Sequence, residues 1–275
     1  MSKVWFVTGA SRGLGRVWVE AALRRGDKVA ATARTADDLA ALKATYGDAV
    51  LPLVLDVIDR QAVFACVAAA IAHFGRIDVV ISNAGYALFG TIEESEEKLS
   101  RAQFDANFFG TLWVIQAALP HLRQQRGGHV LVTSSIAGII TFPTAGVYNA
   151  TKWAVEGLAE TLAAEVGEFG IKVTLIEPGG YATDWRGASA SIARPLPEYD
   201  GLRERLKAAG ASRQLADPAA TADSILQVVD SKEPPLRLIL GNVGLAAAKQ
   251  AYASRLAVWE TWASVSESAQ GHDPR

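Results

Sequence analysis

The sequence predicts an α/β protein, a doubly wound, parallel, seven-stranded sheet of the Rossmann type, flanked by helices in one domain over residues 1–275. Three observations support this fold class: seven short apolar runs alternate with helical patterns, the runs are continuously hydrophobic, and a glycine-rich turn follows the first run. Continuous hydrophobicity is typical of strands buried on both faces, as in parallel sheets. Such a sheet binds ligands at the carboxyl ends of its strands.

The predicted strands follow one another at regular intervals along the chain. They are VWFVT (4–8), KVAATA (28–33), VLPLVL (50–55), DVVIS (78–82), HVLVTS (129–134), KVTLIE (172–177) and LRLILG (236–241). Helical patterns separate them, and two long ones cover residues 107–126 and 148–169. The run EESEEK at 93–98 predicts a solvated helix start, because carboxylates are favoured at a helix N-terminus.

Two regions depart from this alternation. Residues 179–216 form a long insertion containing Gly, Ser and Pro after the sixth strand, and its length predicts a lid over the substrate. Residues 243–266 predict a final amphipathic helix with Trp259 and Trp262, and a polar tail completes the segment 243–275.

Composition narrows the class of protein. The net charge of −2 gives no reason to expect a nucleic-acid partner. The N-terminus lacks the pattern of a signal peptide, and no apolar run reaches the ~18 residues of a membrane span without an interrupting charge. The single cysteine, Cys66, allows no intrachain disulfide, and the four histidines have no metal-ligand spacing. We therefore expect a cytoplasmic protein without a membrane partner or a metal.

The glycine-rich turn TGASRGLG, residues 8–15, follows the first strand and opens the first helix. Gly9 allows the tight turn, Gly13 lets a phosphate approach the backbone, and Gly15 permits close packing of helix and strand. The N-terminus of the helix favours an anion, so this loop, with Ser11, Arg12 and Leu14, is a candidate site for the pyrophosphate of a dinucleotide. A glycine-rich turn without a ligand is the alternative.

Arginine replaces a carboxylate near the end of the second strand. An acidic residue there would bind the 2′-hydroxyl of NAD, but Ala33 and Arg34 occupy the position and Arg12 lies in the glycine loop. Two guanidinium groups can pair with a 2′-phosphate, so the sequence predicts NADP(H) in preference to NAD(H). A solvated Arg34 is the alternative. Asp37 and Asp38 are expected in the first turn of the next helix.

The segment YNATK, residues 148–152, places a phenol and an ammonium four positions apart on a predicted helix. This spacing keeps both side chains on one face. A Tyr148 phenolate beside Lys152 and an oxidised nicotinamide would be stabilised, so we expect its pKa to fall and the phenol to act as general acid–base. Ser135, at the carboxyl end of the fifth strand, could hydrogen-bond the substrate oxygen, whereas Ser134 is expected to be structural.

Several motifs in order resemble one family. They are TGASRGLG, LDV (55–57), SNAG (82–85), NFFG (107–110), SSIAG (134–138), YNATK and PGG (178–180). In these motifs the chain resembles the short-chain dehydrogenase/reductase family, and the resemblance covers about residues 3 to 241. The C-terminus departs from the family pattern. Relatives often end in a Gly-Gly segment that helps to build a tetramer, whereas this chain continues into a predicted helix. A homodimer through the helices 107–126 and 148–169 is therefore as plausible an expectation as a homotetramer.

The resemblance implies roles for individual residues. Tyr148 would be the acid–base, Ser135 would polarise the carbonyl, Lys152 would tune the tyrosine, and Asn107 would hold a water of the proton relay. The cofactor contacts that it implies are Asp56 and Val57 at the adenine, Asn83, Ala84 and Gly85 at the adenine ribose and the central strand, and Pro178, Gly179, Tyr181 and Thr183 at the nicotinamide end. Without the family, Asn107 would be interpreted as a helix cap and Asp56 as a turn residue.

Three functions remain open at this stage. The first is an NADP(H)-dependent oxidoreductase acting on an apolar ketone or aldehyde and its alcohol. The others are a non-catalytic NADPH-binding regulator and an epimerase or dehydratase. The residues expected to line the substrate pocket are Tyr86, Phe142, Tyr181, Trp185 and the segment 187–210. Trp185 could equally serve as packing for the lid.

Overall fold

The computed structural model describes residues 2–187, 190–210 and 214–271. The strands of the described residues are β1 (Val4–Val7), β2 (Lys28–Ala33), β3 (Val50–Val54), β4 (Val79–Ser82), β5 (Leu88–Phe89), β6 (Gly128–Thr133), β7 (Ile171–Pro178), β8 (Ser191–Ile192) and β9 (Arg237–Leu240). The α-helices are α1 (Gly13–Arg24), α2 (Asp37–Tyr46), α3 (Arg60–Phe74), α4 (Glu97–Phe104), α5 (Gly110–Gln125), α6 (Gly146–Val166), α7 (Asp200–Gly210), α8 (Thr221–Asp230), α9 (Gly244–Thr261) and α10 (Ala263–Ser268).

Seven of the strands form one parallel sheet in the order β3-β2-β1-β4-β6-β7-β9. At its centre Val7 of β1 lies opposite Ala31 of β2 on one side and Ile81 of β4 on the other. The chain order changes direction between β1 and β4, so the loops after these strands part and leave a crevice at their carboxyl ends. The predicted seven-stranded, doubly wound sheet is thereby confirmed.

Helices cover both faces of the sheet and bury two apolar layers. Side chains of α3, α5 and α6 pack on one face, and side chains of α1, α2 and α8 pack on the other. Trp18 of α1 is fully buried, and its indole nitrogen donates to the hydroxyl of Thr221, 2.8 Å away at the start of α8. Burial of this apolar surface is the main favourable contribution to folding, at about 25 cal/mol per Å².

The helix start predicted at residues 93–98 is only partly correct. Helix α4 begins at Glu97, and the Glu94 side chain is buried. Glu94 Oε2 accepts a hydrogen bond from the Thr91 amide at 2.8 Å. Its Oε1 accepts from the Leu196 amide at 2.7 Å and from Arg203 Nη1 at 2.6 Å. The prediction of a solvated carboxylate was wrong because a segment about a hundred residues further along the chain packs over it.

The segment 179–216 contains regular structure where it is described. Strand β8 pairs in parallel with β5, with Leu88 opposite Ser191, and α7 follows. This places residues 190–203 over the loop between β4 and α4, beside Glu94. Residues 188, 189 and 211–213 of the predicted lid lie outside the described residues.

The C-terminal helices differ from the predicted amphipathic helix. The side of α9 that contacts the rest of the domain carries the small residues Gly244 and Ala248. Arg255 lies on the same side and donates to the Ile139 carbonyl at 2.9 Å. Trp259 and Trp262 are 62% and 60% exposed. The prediction was wrong because the large apolar residues lie outside the contacting side. Residues 272–275 of the predicted tail lie outside the described part, within which no helix is both long and apolar enough to cross a bilayer.

Candidate active site

The glycine-rich loop lies at the carboxyl end of β1, beside the end of β2. The Ala10 amide donates to the Thr32 carbonyl at 2.9 Å, which fixes the loop to the neighbouring strand. Gly9 has a φ of +66°, a conformation that favours glycine. A Cβ at Gly15 would lie 2.2 Å from the Gly9 carbonyl oxygen, so a larger residue would separate α1 from the loop. The tight turn and the close packing predicted for these two glycines are both observed.

The N-terminus of α1 presents backbone amides to the crevice. Arg12 is the N-cap residue, and its side chain makes no capping hydrogen bond, so the amides of the first turn are available to an anion. Across the crevice, a Cβ at Gly13 would lie 3.7 Å from the Thr183 side chain. The loop after β7 therefore approaches the glycine loop closely. These residues fit the pyrophosphate of a dinucleotide.

Arg12 and Arg34 both expose their side chains near this loop, and neither forms an ion pair within the described residues. Arg34 directly follows β2, where a carboxylate would select NAD. Asp37 and Asp38 occupy the first turn of α2, as predicted. Two uncommitted guanidinium groups are thus available to a phosphate at this edge.

Asn83 connects three strand ends beneath the crevice. Its Nδ2 donates to the carbonyls of Thr8 and Gly9 at 3.2 and 3.1 Å. Its Oδ1 accepts from Thr133 Oγ1 at 3.3 Å, and the amides of Asn83 and Ala84 both donate to Thr8 Oγ1. The predicted bracing of the central strand by this segment is therefore observed.

Asp56 and Val57 follow β3. The Asp56 Oδ1 accepts from the Ile58 amide at 3.2 Å, an Asx turn, so the local role predicted for it without the family is observed. Val57 is buried, and a Cβ at Gly110 would lie 2.9 Å from its Cγ2. The side chain of Asp56 is exposed, whereas Val57 packs against the start of α5.

Tyr148 lies in the first turn of α6 and is 4% exposed. Burial raises the pKa of Tyr148 to about 12, and a hydrogen bond with Ser135 opposes this only in part. This direction is opposite to the one expected for Tyr148 beside Lys152 and an oxidised nicotinamide, and the lowered pKa in the presence of the cofactor stays a prediction. The physical reason for the raised pKa is that a phenolate in an apolar environment is poorly solvated.

Lys152 lies one turn further along α6 and is also buried. Its Nζ is 5.7 Å from the centroid of the Tyr148 ring and donates to the Thr133 carbonyl at 2.8 Å. Burial lowers the pKa of Lys152 to about 8, and the charge of Glu156 opposes that shift. The ammonium thus donates to the Thr133 carbonyl, and burial remains the largest influence on the pKa of Tyr148.

The structure distinguishes the two serines that follow β6. Ser135 Oγ accepts from the Ala137 amide at 3.1 Å and lies 3.5 Å from the Pro178 carbonyl, on the same side as Tyr148. Ser134 is directed away, since a Cβ at Gly138 would lie 2.7 Å from its Oγ and 2.9 Å from Glu156 Oε1. Ser135 is therefore the serine available to a substrate oxygen.

Asn107 is buried within a continuous helical stretch and is not a helix cap. It lies in a π-helical turn, Asp105–Phe109, between α4 and α5. Its Nδ2 donates to the Tyr86 carbonyl and to Thr151 Oγ1, both at 3.0 Å, and its Oδ1 accepts from the Tyr86 amide at 3.0 Å. The capping interpretation was wrong, because a wide turn inside a helix has no signature in the local sequence. The side chain joins the loop after β4 to α6.

Gly85 lies close to the side chains of Asn107 and Lys152. A Cβ at this position would lie 2.9 Å from Asn107 Oδ1 and 3.9 Å from Lys152 Nζ. At the other side of the crevice, the Gly179 amide donates to the Leu240 carbonyl at 3.1 Å, and Tyr181 forms a β-bridge with Ala216. Pro178 ends β7 between these two features. The predicted catalytic residues thus lie together, and the predicted nicotinamide contacts begin beside them at Pro178, whose carbonyl is 3.5 Å from Ser135 Oγ.

Apolar side chains pack around the Tyr148 ring. Trp185 packs against the Tyr148 ring with 5.0 Å between centroids, and Phe142 belongs to the same cluster. A cavity of about 50 Å³ lies beside it, between the loop after β7 and the start of α9. Its walls include Ile136, Ile140, Phe142, Tyr181, Leu215 and Val243. Tyr86, half-buried, binds Asn107 through its backbone.

Sequence reasoning missed two acidic sites. One is Glu94, which holds the 190–203 part of the insertion, and no signal in the local sequence indicates it. The other is Glu156, buried one turn beyond Lys152. The spacing of four residues from Lys152 was a signal that could have revealed Glu156, because i and i+4 side chains meet on a helix.

Known proteins resemble this chain in sequence and in fold. Residues 3–192 match the family described as short chain dehydrogenase. An oxidoreductase, BOA17, of Botryotinia fuckeliana is 42% identical over 97% of this chain and 98% of its own length. A crystal structure of a short-chain dehydrogenase from Streptomyces avermitilis superposes with a TM-score of 0.90 at 36% identity, covering 98% of each chain.

Two further structures contain dinucleotides. A short chain dehydrogenase/reductase from Burkholderia phymatum, in complex with NAD, has 25% identity and a TM-score of 0.79 over 90% of this chain and 92% of its own. An alcohol dehydrogenase from Thermococcus sibiricus, complexed with 5-hydroxy-NADP, has 27% identity and a TM-score of 0.73 over 87% of this chain and 96% of its own.

Proposed function

The chain belongs to the short-chain dehydrogenase family and is an oxidoreductase of that family, and from this premise we propose that it uses NADP(H) to interconvert an apolar ketone or aldehyde and its alcohol. The observation that carries the proposal is the assembly of Ser135, Tyr148 and Lys152 at the strand ends, beside the glycine loop. A regulator that only bound the dinucleotide would have no need of a buried phenol next to a buried ammonium.

The chemistry assigned to the chain is proton transfer to the substrate oxygen. The nicotinamide, when bound, supplies or accepts the hydride. Tyr148 gives its hydroxyl proton to the carbonyl oxygen during reduction, and Ser135 Oγ donates a hydrogen bond to the same oxygen. Such general acid catalysis contributes ~10²–10⁴-fold to the rate.

The protonation of Tyr148 follows from its environment. Because burial raises the pKa of Tyr148 to about 12, the residue is a protonated acid at neutral pH, as reduction requires. Alcohol oxidation requires the phenolate, which the charged Lys152 and a positively charged nicotinamide would stabilise. We therefore assign Asn107 and Lys152 to positioning and charge stabilisation, with Asn107 next to Gly85 as the place for a relay water.

The dinucleotide is assigned along the crevice. The residues proposed to contact it are Gly9, Ser11, Arg12, Gly13, Leu14, Gly15 and Arg34 around the phosphates, Asp56, Val57, Asn83, Ala84 and Gly85 around the adenosine, and Tyr148, Lys152, Pro178, Gly179, Tyr181 and Thr183 at the nicotinamide end. The preference for NADP(H) is supported by the exposed guanidinium groups of Arg12 and Arg34 and by the lack of a carboxylate at the end of β2. Relatives of known structure hold NAD or an NADP derivative.

An apolar substrate is supported by what surrounds Tyr148. Trp185, Phe142 and the neighbouring cavity offer contacts to carbon and few to charge. The segment 179–216 would serve as the lid, held by Glu94. A cytoplasmic location belongs to the proposal. A homodimer or homotetramer that uses the helical stretches 107–126 and 148–169 is supported by Phe109 and Trp153, each 40% exposed. A monomer in solution by light scattering would reject that assembly.

Turnover with a panel of carbonyl compounds tests the proposal. The purified protein is given NADPH or NADH with aliphatic, alicyclic and aromatic ketones and aldehydes, and nucleotide absorbance is followed. We expect NADPH oxidation with apolar ketones and a lower kcat/KM with NADH. NADPH binding without turnover of any member would instead support the regulator. Conversion of a nucleotide sugar without net redox change would support the epimerase.

A further inference from the structure

Two acidic side chains meet behind the active-site lysine. Glu156 lies one helical turn after Lys152 on α6, and Glu177 lies on β7 with no exposed surface. Arg237 of β9 reaches both, with its Nε 3.1 Å from Glu156 Oε2 and 3.6 Å from Glu177 Oε1. The proposed mechanism assigns no role to either carboxyl.

The charges of this cluster do not balance if every carboxyl is ionised. Lys152 and Arg237 are the cations, while Glu156, Glu177 and the more exposed Glu160 would be three anions; Arg237 Nη2 binds Glu160 at 2.8 Å. Arg237 lies closer to Glu156 and Glu160 than to Glu177, so Glu177 is the buried carboxyl with the weakest compensation, and a poorly compensated buried carboxylate is costly enough to take up a proton. Glu177 is the one placed to do so, because neither of its oxygens has a hydrogen-bond partner among the described residues.

The electrostatic environment of each group agrees with this assignment. Burial, and then the charge of Glu156, raises the pKa of Glu177 to about 8, with Arg237 acting in the opposite direction. Burial also raises the pKa of Glu156, but Arg237 and Lys152 oppose that shift. The Ser134 hydroxyl also lies near Glu156, and Gly138 packs against both side chains.

We propose that Glu156 is a positioning residue for Lys152, and that Glu177 carries a proton at neutral pH, so the pair places one negative charge a single turn from the ammonium. This inference rests on the proposed function. Its consequence is that Lys152 stays charged in the pH range where it must stabilise the Tyr148 phenolate, even though burial favours its neutral form. If both carboxyls were ionised, the second negative charge would be uncompensated. If neither were ionised, Lys152 would be neutral.

An infrared titration tests the protonation of Glu177 without any turnover. The wild-type protein is expected to show the carbonyl stretch of a buried protonated carboxyl at pH 7, which disappears as the pH is raised past about 8. The band should be missing from Glu177→Gln and retained in Glu160→Gln, the control from the same cluster. A wild-type spectrum without the band, or a band that persists in Glu177→Gln, would overturn the proposal.

The pH profile of kcat/KM tests the effect on Lys152. Glu156→Gln should move the alkaline limb by about one pH unit to lower pH, an approximately fivefold loss at pH 8, where half of the wild-type Lys152 is charged, and little loss at pH 6. Glu156→Asp, which keeps the charge, should restore the limb, and Glu160→Gln should leave it in place. A profile that is scaled down without a shift would overturn the role of Glu156. A wild-type protein without turnover would refute the proposed function instead, and the infrared result would stand.

Discussion

The Tyr148 ring lies against Trp185, with 5.0 Å between the ring centroids and 62° between the ring planes. Trp185 belongs to the segment 179–216, and its other side meets Phe89 at 5.4 Å. The phenol proposed as the acid is therefore covered by a side chain that arrives from a distant part of the chain. This contact links the position of the insertion to the protonation of the active site.

Replacement of Trp185 tests this link. Trp185→Ala removes apolar surface of the kind worth ~1.5–3 kcal/mol when buried, so we expect KM for a bulky apolar ketone to rise about tenfold, with a smaller change for a small ketone. Water admitted to the site should also lower the pKa of Tyr148 from about 12 towards its ordinary value. Trp185→Phe is the control and should stay close to wild type. Equal effects on both ketones would contradict a role in substrate contact.

The buried Glu94 is expected to hold the insertion in place. Its pKa is lowered to about 2 by hydrogen bonds from the backbone amides of Leu196 and Thr91 and by Arg203. Because the folded pKa lies below the unfolded value of 4.5, the stabilisation is present above pH 4.5 and is lost as the pH falls towards 2. Glu94→Gln should therefore speed hydrogen exchange at the Leu196 amide at pH 7.

The matched control for this experiment is Glu93→Gln, which removes the charge of the exposed carboxylate that accepts from the Tyr199 hydroxyl at 2.6 Å. Exchange at Leu196 should change little in this variant. If both variants, or neither, accelerate exchange at Leu196, Glu94 is not the residue that anchors the segment.

Lys152 is expected to lower stability at neutral pH. Its folded pKa of about 8 lies below the unfolded value of 10.5. Between these values the unfolded chain binds more protons, so stability rises with pH through that window, and below pH 8 the full cost of the buried charge is present. Lys152→Met should remove a cost of at most about 3 kcal/mol. We expect Tm to rise by a few degrees at pH 7 and by less at pH 10.5, while turnover is lost.

Lys172→Met serves as the control for that variant, because the Lys172 Nζ makes a similar hydrogen bond, 2.7 Å to the Ser231 carbonyl. It should not raise Tm. A Lys152→Met protein that is less stable than wild type at pH 7 would show that the bond to Thr133 outweighs the burial of charge.

Cofactor preference should depend on Arg34. Arg34→Asp replaces a candidate partner of the 2′-phosphate with a group that repels it and can bind a 2′-hydroxyl. The ratio of kcat/KM with NADPH to that with NADH should fall by at least about tenfold, the effect of losing one charge-assisted hydrogen bond. Arg101→Asp, the same charge change on α4, is the control. A ratio that stays at the wild-type value would reject the assignment of Arg34.

The sheet and the catalytic helix could be predicted because their signals are local. Continuous apolar runs indicate buried parallel strands, and the spacing of Tyr148 and Lys152 on a helix requires no tertiary information. The position of the glycine loop between strand and helix likewise follows from neighbouring residues. The structure confirms each of these features.

Long-range contacts decided what could not be predicted. Glu94 is buried because Arg203 packs on it from 109 residues away. The raised pKa of Tyr148 depends on burial by residues such as Trp185, and local sequence gives no measure of burial. The π-helical turn at Asn107 arises from its bonds to Tyr86 and Thr151, both distant in the chain.

The rate of NADPH oxidation by Tyr148→Phe, with a ketone that the wild-type protein reduces, tests the central claim most directly. The variant keeps the ring against Trp185 and lacks the hydroxyl group that would donate the proton. We expect it to bind NADPH as tightly as wild type and to oxidise it at least ~10²-fold more slowly at saturating ketone. A variant that binds NADPH and turns over at the wild-type rate would contradict the assignment of Tyr148 as the proton donor.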